Sequence, residues 1–378
     1  MRRILIGCAL LASGCIATLS QPRGEAHLAA LRAASRHYHH GRMEEAAAAF
    51  AEAASTAERR VDRDEAQYRH ARTLLRLARS AASDGQPTAA EAPSAGAEVG
   101  CRHERSEPCD RAREALAILD AIARRRPISR RTIRALFDAA LIRIDLGERE
   151  HADEALGFIV NERPGDGPAS RSLRLMMAAR ESEPAAARLA FLRALYERVG
   201  QSDLGDDILA FEADVLLASG DRAGAVRALE RIVREHPYPH GQRWDDALFR
   251  LADLAEEDGD HEAAVRHLTR MIALHEQTVT PGSQTLPRMP EARLRIARIY
   301  RDRLHDPARA AAHFTGTYQQ FPTSTLRDDA LYELGAMWLD TGSHAEGCAM
   351  LARVVSEFEV GHARRLAARR VEEECGER

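Results

Sequence analysis

The chain has no lysine, and its only asparagine is Asn161. Apart from the histidines, every basic side chain is therefore an arginine. A phosphate-binding P-loop lysine, a Schiff-base lysine and the lysine with which kinases pair phosphates all need a residue that this sequence lacks. The missing lysine excludes these three kinds of chemistry.

Aromatic residues are also scarce, at 5% of the chain. Almost no stretch shows the alternation of β-branched and polar residues that a half-buried strand needs. Alanine and leucine dominate the apolar residues instead, and 378 residues are enough for several ordinary domains or one extended array of repeats. The composition predicts an all-α protein and favours the array.

The N-terminus begins with two arginines, continues with an apolar run at 4–12 and ends in small residues before Cys15. This layout is typical of a secretory signal peptide, and the run is too short to span a membrane as a stable helix. The stretch LASGC at 11–15 resembles the bacterial lipoprotein signal, whose cysteine becomes the lipidated first residue of the mature chain. It departs from that pattern at Ala12, where leucine is more frequent.

The lipoprotein resemblance implies a signal peptide at 1–14, a lipid on Cys15 and a tether at 15–24. The residue after the cysteine is Ile16 and not the aspartate that commonly retains lipoproteins in the inner membrane. We therefore expect the protein at the bacterial outer membrane, anchored by its lipid and facing the periplasm. A plain cleaved signal with an unmodified Cys15 is the alternative.

Four cysteines follow the leader, and in an exported protein an even set is typical of disulfides. These disulfide candidates are Cys101, Cys109, Cys348 and Cys375. The local pairings are the first with the second and the third with the fourth, but the other pairings stay open. In a cytosolic protein the same four would be ordinary buried thiols, so the interpretation depends on the leader.

A helix-turn-helix unit recurs along the chain. In the clearest copies an apolar helix ends near a glycine, an alanine follows five residues later, and a large apolar residue follows four after that. In the copy ALIRIDLGEREHADEALGFIVNERP these residues are Gly147, Ala152 and Leu156. The spacing resembles that of the tetratricopeptide repeat, a helix-turn-helix of about 34 residues.

About eight such units cover nearly the whole mature chain, which predicts an all-α solenoid. The copy RIARIYRDRLHDPARAAAHFTGTYQQFP lacks the turn glycine and has a longer turn. Two copies are degenerate: one pairs helices at 64–81 and 110–126, and the other, at 168–200, carries Ala187, Phe191 and Ala194. The resemblance implies a right-handed superhelix with a concave groove lined mainly by the first helices of the units.

Composition shifts divide the repeat region further. A stretch rich in proline, alanine, serine and glycine predicts a flexible insertion. The predicted parts are N-terminal repeats at 25–200 with the insertion at 83–108, central repeats at 201–277, a linker at 278–290, and C-terminal repeats with a final helix at 291–378.

Candidate catalytic and metal sites are weak. In HYHHG only His37 and His40 have a spacing that places two metal ligands on one helix face, and HEAAVRH at 261–267 has Val265 where a zinc-protease helix needs its second histidine. No Ser/His/Asp or Cys/His set is apparent. We expect no enzyme, no catalytic residue, no metal, no cofactor and no small-molecule substrate.

The strongest basic cluster, RRRPISRRTIR at 124–134, falls at a turn between repeats and lacks interleaved aromatic residues. We interpret it as a solvated turn and expect no nucleic acid as partner. By the repeat family's groove-facing positions, six acids would form an acidic concave patch that favours a basic segment of a partner, unless they are ordinary solvated acids. These acids are Asp207, Asp214, Asp246, Asp253, Glu256 and Glu257.

The stretch YQQFPTSTLRDDALYELGAMWLDTG at 318–342 resembles repeats of periplasmic lipoproteins of the envelope assembly and Tol-associated type. That resemblance implies a non-catalytic scaffold or adaptor that docks other envelope proteins or peptide segments in its groove. The alternative is an envelope hydrolase or metal-dependent enzyme on a helical-repeat scaffold.

Overall fold

The computed structural model describes residues 23–82, 106–273 and 288–376. In these ranges every regular element is a helix, seventeen in all, and no strand is present. The helices are α1 (Glu25–His39), α2 (Met43–Ser55), α3 (Arg60–Ala82), α4 (Glu107–Ala123), α5 (Arg130–Leu146), α6 (Arg149–Glu162), α7 (Ala169–Ala179), α8 (Ala185–Val199), α9 (Gly205–Ala218), α10 (Arg222–Glu235), α11 (Trp244–Glu257), α12 (His261–Ile272), α13 (Met289–Asp302), α14 (Pro307–Gln320), α15 (Arg327–Asp340), α16 (His344–Glu357) and α17 (His362–Glu374). The prediction of an all-α helical-repeat fold is confirmed.

None of the described helices combines the length and the apolar character needed to cross a membrane.

Several predictions concern segments outside the described residues. The lipidation site Cys15, the signal peptide at 1–14 and the tether at 15–24 as far as residue 22 lie outside them. So do Cys101, most of the insertion at 83–108 and most of the linker at 278–290. These stay predictions.

Glycines with a left-handed backbone lie in the turns between paired helices. Their φ angles lie between 75° and 88°, and the residues are Gly41, Gly147, Gly220, Gly259 and Gly342. A side chain in this region costs about 1–2 kcal/mol, so the turns require the glycines that the repeat spacing picked out. Between α13 and α14 the turn is longer, as predicted there, and His305 takes the left-handed conformation with φ 51°.

Small residues lie where neighbouring helices approach closely. The alanines of the repeat pattern are fully buried on first helices (Ala34, Ala140, Ala213, Ala252, Ala297) and on second helices (Ala46, Ala152, Ala225, Ala264, Ala310). At Gly335 on α15 an added Cβ would lie 3.0 Å from the Leu351 side chain on α16. Close approach of this kind lets the large apolar side chains of adjacent helices fill the space between them.

The chain divides into two compact units, Met1–Ser182 and Glu183–Arg378. Within each unit, consecutive helices pack against one another in chain order, and α3 packs against α4 across the insertion. In the first unit the main apolar cluster joins α3, α4 and α5, and in the second a larger cluster runs from α9 to α15. Each unit therefore has an apolar core of its own.

The division falls inside the predicted repeat at 168–200. Helix α7 packs against α6 in the first unit, and α8 packs against α9 in the second. The predicted register of α8 is wrong, because Ala187 and Ala194 are exposed while Leu192, Leu195 and Val199 are buried. Helix α8 carries alanine or leucine on nearly every face, so the spacing of its apolar residues does not single out one buried side.

Candidate functional site

The six predicted groove acids lie on adjacent first helices of the second unit, two on α9 and four on α11. Each one is paired with an arginine of the same chain. The pairs are Asp207 with Arg243 at 2.7 Å, Asp214 with Arg250 at 2.5 Å, Asp253 with Arg295 at 2.6 Å, Glu256 with Arg295 at 2.5 Å, Glu257 with Arg222 at 2.8 Å, and Asp246 with Arg288. The acids therefore belong to a series of ion pairs between neighbouring helices, which we call the ladder.

Four of the ladder's five arginines come from the next first helix along the chain or from the residue directly before it. Arg250 on α11 reaches back to α9, and Arg295 on α13 reaches back to α11. Between α13 and α15 the order of the charges is reversed. Here the arginines, Arg298 and Arg301, lie on the earlier helix and pair with Glu333 on the later one. This face of the second unit is of mixed charge.

The interpretation of the six residues as a free acidic patch for a basic segment therefore needs correction. The arginines of neighbouring helices already offset the carboxylates, so an incoming cation would have to displace them. The spacing that predicts these acids in the groove contains no information on which side chain faces them from the next repeat. Pairs in which both side chains are exposed, such as Arg222 with Glu257, contribute about 0–1 kcal/mol each.

The first unit contains a cleft of about 1090 Å³. It is lined by Arg60, Val61, Asp64, Glu65, Tyr68 and Arg72 of α3, by Pro127, Ser129, Arg130, Arg131, Arg134, Phe137 and Asp138 at the start of α5, and by Gly165, Asp166, Gly167, Pro168 and Arg171 at the start of α7. On α3 and α5 these residues recur at intervals of three and four, which places them on one face of each helix. The cleft is thus built on the N-terminal halves of α3 and α5 and on the start of α7, each of which is the first helix of its repeat.

A capping box fixes where α5 begins. The Ser129 Oγ accepts a hydrogen bond from the backbone N–H of Thr132, and the Thr132 side chain accepts one from the backbone N–H of Ser129. With α3 and α7, this helix presents its N-terminal end at the cleft. Helix N-termini carry a partial positive charge, so the backbone adds to the positive field of the side chains.

The carboxylates that line the cleft are all engaged. Asp64 pairs with Arg125, and Glu65 pairs with Arg131 and, at 2.7 Å, with Arg69. Asp166 pairs with Arg163 at 2.8 Å. These bonds hold the rim of the cleft together and leave no free carboxylate among those three residues.

The fourth carboxylate of the lining, Asp138, accepts a hydrogen bond from Tyr68, and an arginine lies over the tyrosine ring. The Tyr68 hydroxyl donates to the Asp138 carboxylate at 2.7 Å, and the Arg131 guanidinium lies 4.3 Å from the centre of the tyrosine ring. Burial raises the pKa of Tyr68, and the neighbouring Asp138 raises it further. The tyrosine therefore stays a neutral hydrogen-bond donor at physiological pH.

Apart from Arg72, which donates a hydrogen bond to the Tyr68 hydroxyl at 3.5 Å, three arginines of the cleft remain without a carboxylate partner among the described residues. Arg130, Arg134 and Arg171 are exposed, and none of them forms an ion pair there. The Arg171 guanidinium lies 4.6 Å from the centre of the Phe137 ring. With six arginines and four carboxylates in its lining, the cleft has an excess of positive charge.

The basic cluster at 124–134 is therefore more than a solvated turn. Arg125 and Arg131 pair with acids of α3, whereas Arg130 and Arg134 face the cleft. The cluster is visible in the sequence, but its partner in the cleft, Arg171, lies one first helix further along the chain. That recurrence of arginine near the start of successive first helices was the available signal.

The remaining predicted residues do not line the cleft. Cys348 in α16 and Cys375 directly after α17 form a disulfide, with their Cα atoms 5.7 Å apart. Cys109 is buried in α4, where the Ser106 hydroxyl lies 3.1 Å from its sulfur, and Cys101 lies outside the described residues. Within the described ranges, no group of three or more His, Cys, Asp or Glu side chains could hold a metal ion.

A protein-family model matches one segment of the chain. Residues 246–278, which include most of α11 and all of α12, match the tetratricopeptide repeat family. No curated protein matches the chain.

Two of the similar solved structures are bacterial. The chain is similar to a tetratricopeptide repeat protein from Parabacteroides merdae, with 12% identity, a TM-score of 0.28, and 93% of this chain and 100% of that one covered. It is similar to the C-terminal part of a TPR repeat-containing protein from Cytophaga hutchinsonii, with 10% identity, a TM-score of 0.41, and 79% and 98% covered.

A third similar structure is the human IFIT1 dimer with m7Gppp-AAAA, with 14% identity, a TM-score of 0.40, and 89% of this chain and 68% of that one covered. At such identities the likeness concerns the fold alone. The chain is an all-α helical-repeat protein that carries a tetratricopeptide repeat at 246–278.

Proposed function

We propose that the protein is a non-catalytic scaffold for protein–protein interaction, held at the bacterial outer membrane by a lipid on Cys15 and docking other envelope proteins along its first helices. The observation that carries this proposal is the cleft of the first unit, where the starts of α3, α5 and α7 face one open space. Repeat proteins bind partners on extended surfaces of this kind, which successive helices build together.

The chemistry of the lining supports binding over catalysis. Its side chains include no histidine and no cysteine, and its one serine, Ser129, takes part in the cap of α5. Nucleophilic or acid–base catalysis needs a nucleophile or a base free to exchange a proton. The cleft instead offers guanidinium groups, which stay charged throughout the physiological range and recognise anions.

The envelope location is supported by two features. The LASGC stretch at 11–15 resembles a lipoprotein signal, and the disulfide between Cys348 and Cys375 fits an oxidising compartment outside the cytosol. Acyl chains contribute about 0.8 kcal/mol per buried CH₂, so more than one chain on Cys15 would hold the protein at a membrane stably.

Metabolic labelling with an acyl precursor tests the anchor. We expect the wild type to take up label and sediment with the outer membrane, and the Cys15→Ser variant to do neither. The matched control is Cys8→Ser, which removes the other cysteine of the leader and is expected to keep the label. Label retained by Cys15→Ser would contradict the anchor.

Site-specific photo-crosslinking in intact cells tests docking at the cleft. Val61 lines the cleft and is 69% exposed, whereas Val360 belongs to the second unit, is not part of the lining and is 85% exposed. A photoreactive phenylalanine analogue at Val61 is expected to trap a distinct envelope protein, and the same analogue at Val360 is not. No adduct at Val61, or the same adducts at both positions, would count against docking at the cleft.

A further inference from the structure

We infer that the cleft of the first unit binds an acidic, extended segment of a partner protein, whose carboxylates pair with Arg130, Arg134 and Arg171. The inference rests on the proposed scaffold function and names the chemistry of the partner. It also reverses the charge expected from the sequence, which predicted a basic segment bound at the second unit.

The three arginines have the charge and the freedom to bind carboxylates. All are exposed and have no carboxylate partner among the described residues, while the four acids of the same lining are already engaged. Guanidinium groups bind carboxylates in bidentate fashion, with charge-assisted hydrogen bonds about twice as strong as neutral ones. A carboxylate that enters the cleft could pair with one of these arginines without displacing a carboxylate of the protein itself.

The arginines are spread over two helices that border the cleft, which suits a chain. Arg130 and Arg134 lie one turn apart on the same face of α5, with Cβ atoms roughly 5–6 Å apart. Arg171 lies in the first turn of α7, on the other first helix that borders the cleft. Carboxylates spaced along an extended segment can pair with arginines on both helices at once.

The size of the cleft also favours a segment over a small anion. Its volume of about 1090 Å³ lies at or above the range of roughly 300–1,000 Å³ that is typical of small-molecule pockets. The exposed Val61 lies beside the charged groups and offers an apolar contact that a phosphate or a sulfate would not use. A peptide side chain next to an acidic residue would use it.

Two observations argue against a nucleic acid as the ligand. Single-stranded nucleic acids are held by aromatic rings on which bases stack, yet Tyr68 and Phe137 are 5% and 1% exposed and already lie under arginines. The four carboxylates of the lining would also repel a backbone that carries a phosphate on every nucleotide. A segment with spaced acids avoids most of this repulsion.

Peptide binding to the purified full-length chain tests the inference. The probe is a fluorescent peptide of about twelve residues with alternating Glu and Ser, which reaches roughly 40 Å when extended. We expect it to bind the wild type, and we expect the same peptide with Gln in place of Glu not to bind. The double variant Arg134→Glu/Arg171→Glu is expected to weaken binding about tenfold or more, because each change replaces an attraction by a repulsion.

A matched variant, Arg32→Glu/Arg149→Glu, changes the net charge equally at exposed arginines of the same unit that do not line the cleft. It is expected to bind the Glu peptide as the wild type does. Equal weakening by both double variants would overturn the inference, since binding would then depend on net charge alone. Failure of the wild type to bind, or stronger displacement by inorganic phosphate or single-stranded RNA than by unlabelled peptide, would overturn it too.

The crosslinking experiment separates this inference from the scaffold proposal. If Val61 still traps its envelope partner in the Arg134→Glu/Arg171→Glu background, the scaffold function stands and the acidic-segment inference fails. If Val61 traps nothing in the wild type, the scaffold proposal itself fails, whatever the peptide does.

Discussion

Single residues set the backbone path at the turns of this protein. Gly220 has φ 85° between α9 and α10, and a Cβ added there would meet no atom within 4 Å. Its conformation is therefore required by the turn and not by crowding. Gly157 also has open space around it, but it lies inside α6 with helical geometry. The two glycines make a matched pair for separating backbone strain from helix propensity.

We expect Gly220→Ala to lower the free energy of unfolding by about 1 kcal/mol, because alanine is strained in the left-handed region. Gly157→Ala is expected to raise it by about 0.5–1 kcal/mol, because alanine loses less conformational entropy in a helix. Urea unfolding followed by circular dichroism measures both changes. Equal effects of the same sign would contradict the assignment of strain to Gly220.

His313 on α14 is a second residue whose own surroundings affect the stability of the protein. Its ring stacks on Tyr300 with centroids 5.5 Å apart, and its buried Nδ1 has no hydrogen-bond partner among the described residues. Burial lowers the pKa of His313 to about 4, and the charge of Arg293 adds to the lowering. The histidine is therefore neutral in the folded protein at physiological pH.

This pKa makes stability fall with acidity over a defined range. Between about pH 6.5 and pH 4 the unfolded chain binds a proton on His313 that the folded chain does not, so the free energy of unfolding falls as the pH falls. Partial exposure limits the loss to about 2 kcal/mol or less. We expect His313→Phe, which keeps the stacking on Tyr300, to reduce the drop in stability between about pH 7.5 and pH 4.5. An unchanged drop in this variant would refute the prediction.

At the scale of elements, the last helix depends on both packing and a covalent bond. Ala363 and Ala367 of α17 are buried in a small apolar cluster with α15 and α16. The disulfide from Cys348 to Cys375 closes a loop across a sequence separation of 27 residues around the same cluster. A cluster of so few large side chains supplies limited burial energy, so the disulfide carries a large share of the stability of α17.

We expect Cys348→Ser/Cys375→Ser to lower the free energy of opening α17 by about 3 kcal/mol, on the loop-entropy account. The consequence is amide hydrogen exchange roughly a hundredfold faster in α17. Exchange in α1, which belongs to the other unit, serves as the internal control and is expected to stay the same. Slow exchange in α17 of the double variant would show that packing alone holds the helix.

At the scale of the whole molecule, contacts between consecutive helices dominate. Each of the two compact units has its own apolar cluster, and in the second unit that cluster continues from α9 to α15. In repeat proteins, stability is approximately a sum of repeat terms and nearest-neighbour terms, so a run of several intact repeats can fold without the rest.

We therefore expect a fragment of residues 183–378 to fold by itself, with a helical circular dichroism spectrum and a cooperative urea transition. A fragment of residues 201–378, which lacks α8, is expected to be less stable because it loses the helix that packs on α9. A disordered 183–378 fragment would contradict the independence of the second unit.

The chain's local regularities made much of this fold predictable. The turn glycines, the buried alanines and the lengthened turn before α14 all depend on residues within one helix pair, whose spacing is fixed by 3.6 residues per helical turn. The register of α8 was not predictable in the same way, because its apolar residues surround the helix. For α8, only packing against α9 decides which leucines are buried.

The sequence by itself determined the helical repeats, the absence of lysine chemistry and the existence of the basic cluster at 124–134. Tertiary structure decided which charges are free. Asp214 is neutralised by Arg250, which lies in the next first helix of the array, while Arg134 and Arg171 face a cleft without a carboxylate partner among the described residues. Ion pairing depends on side chains brought together from distant parts of the chain, so the sign of each surface could be known only once the helices were packed.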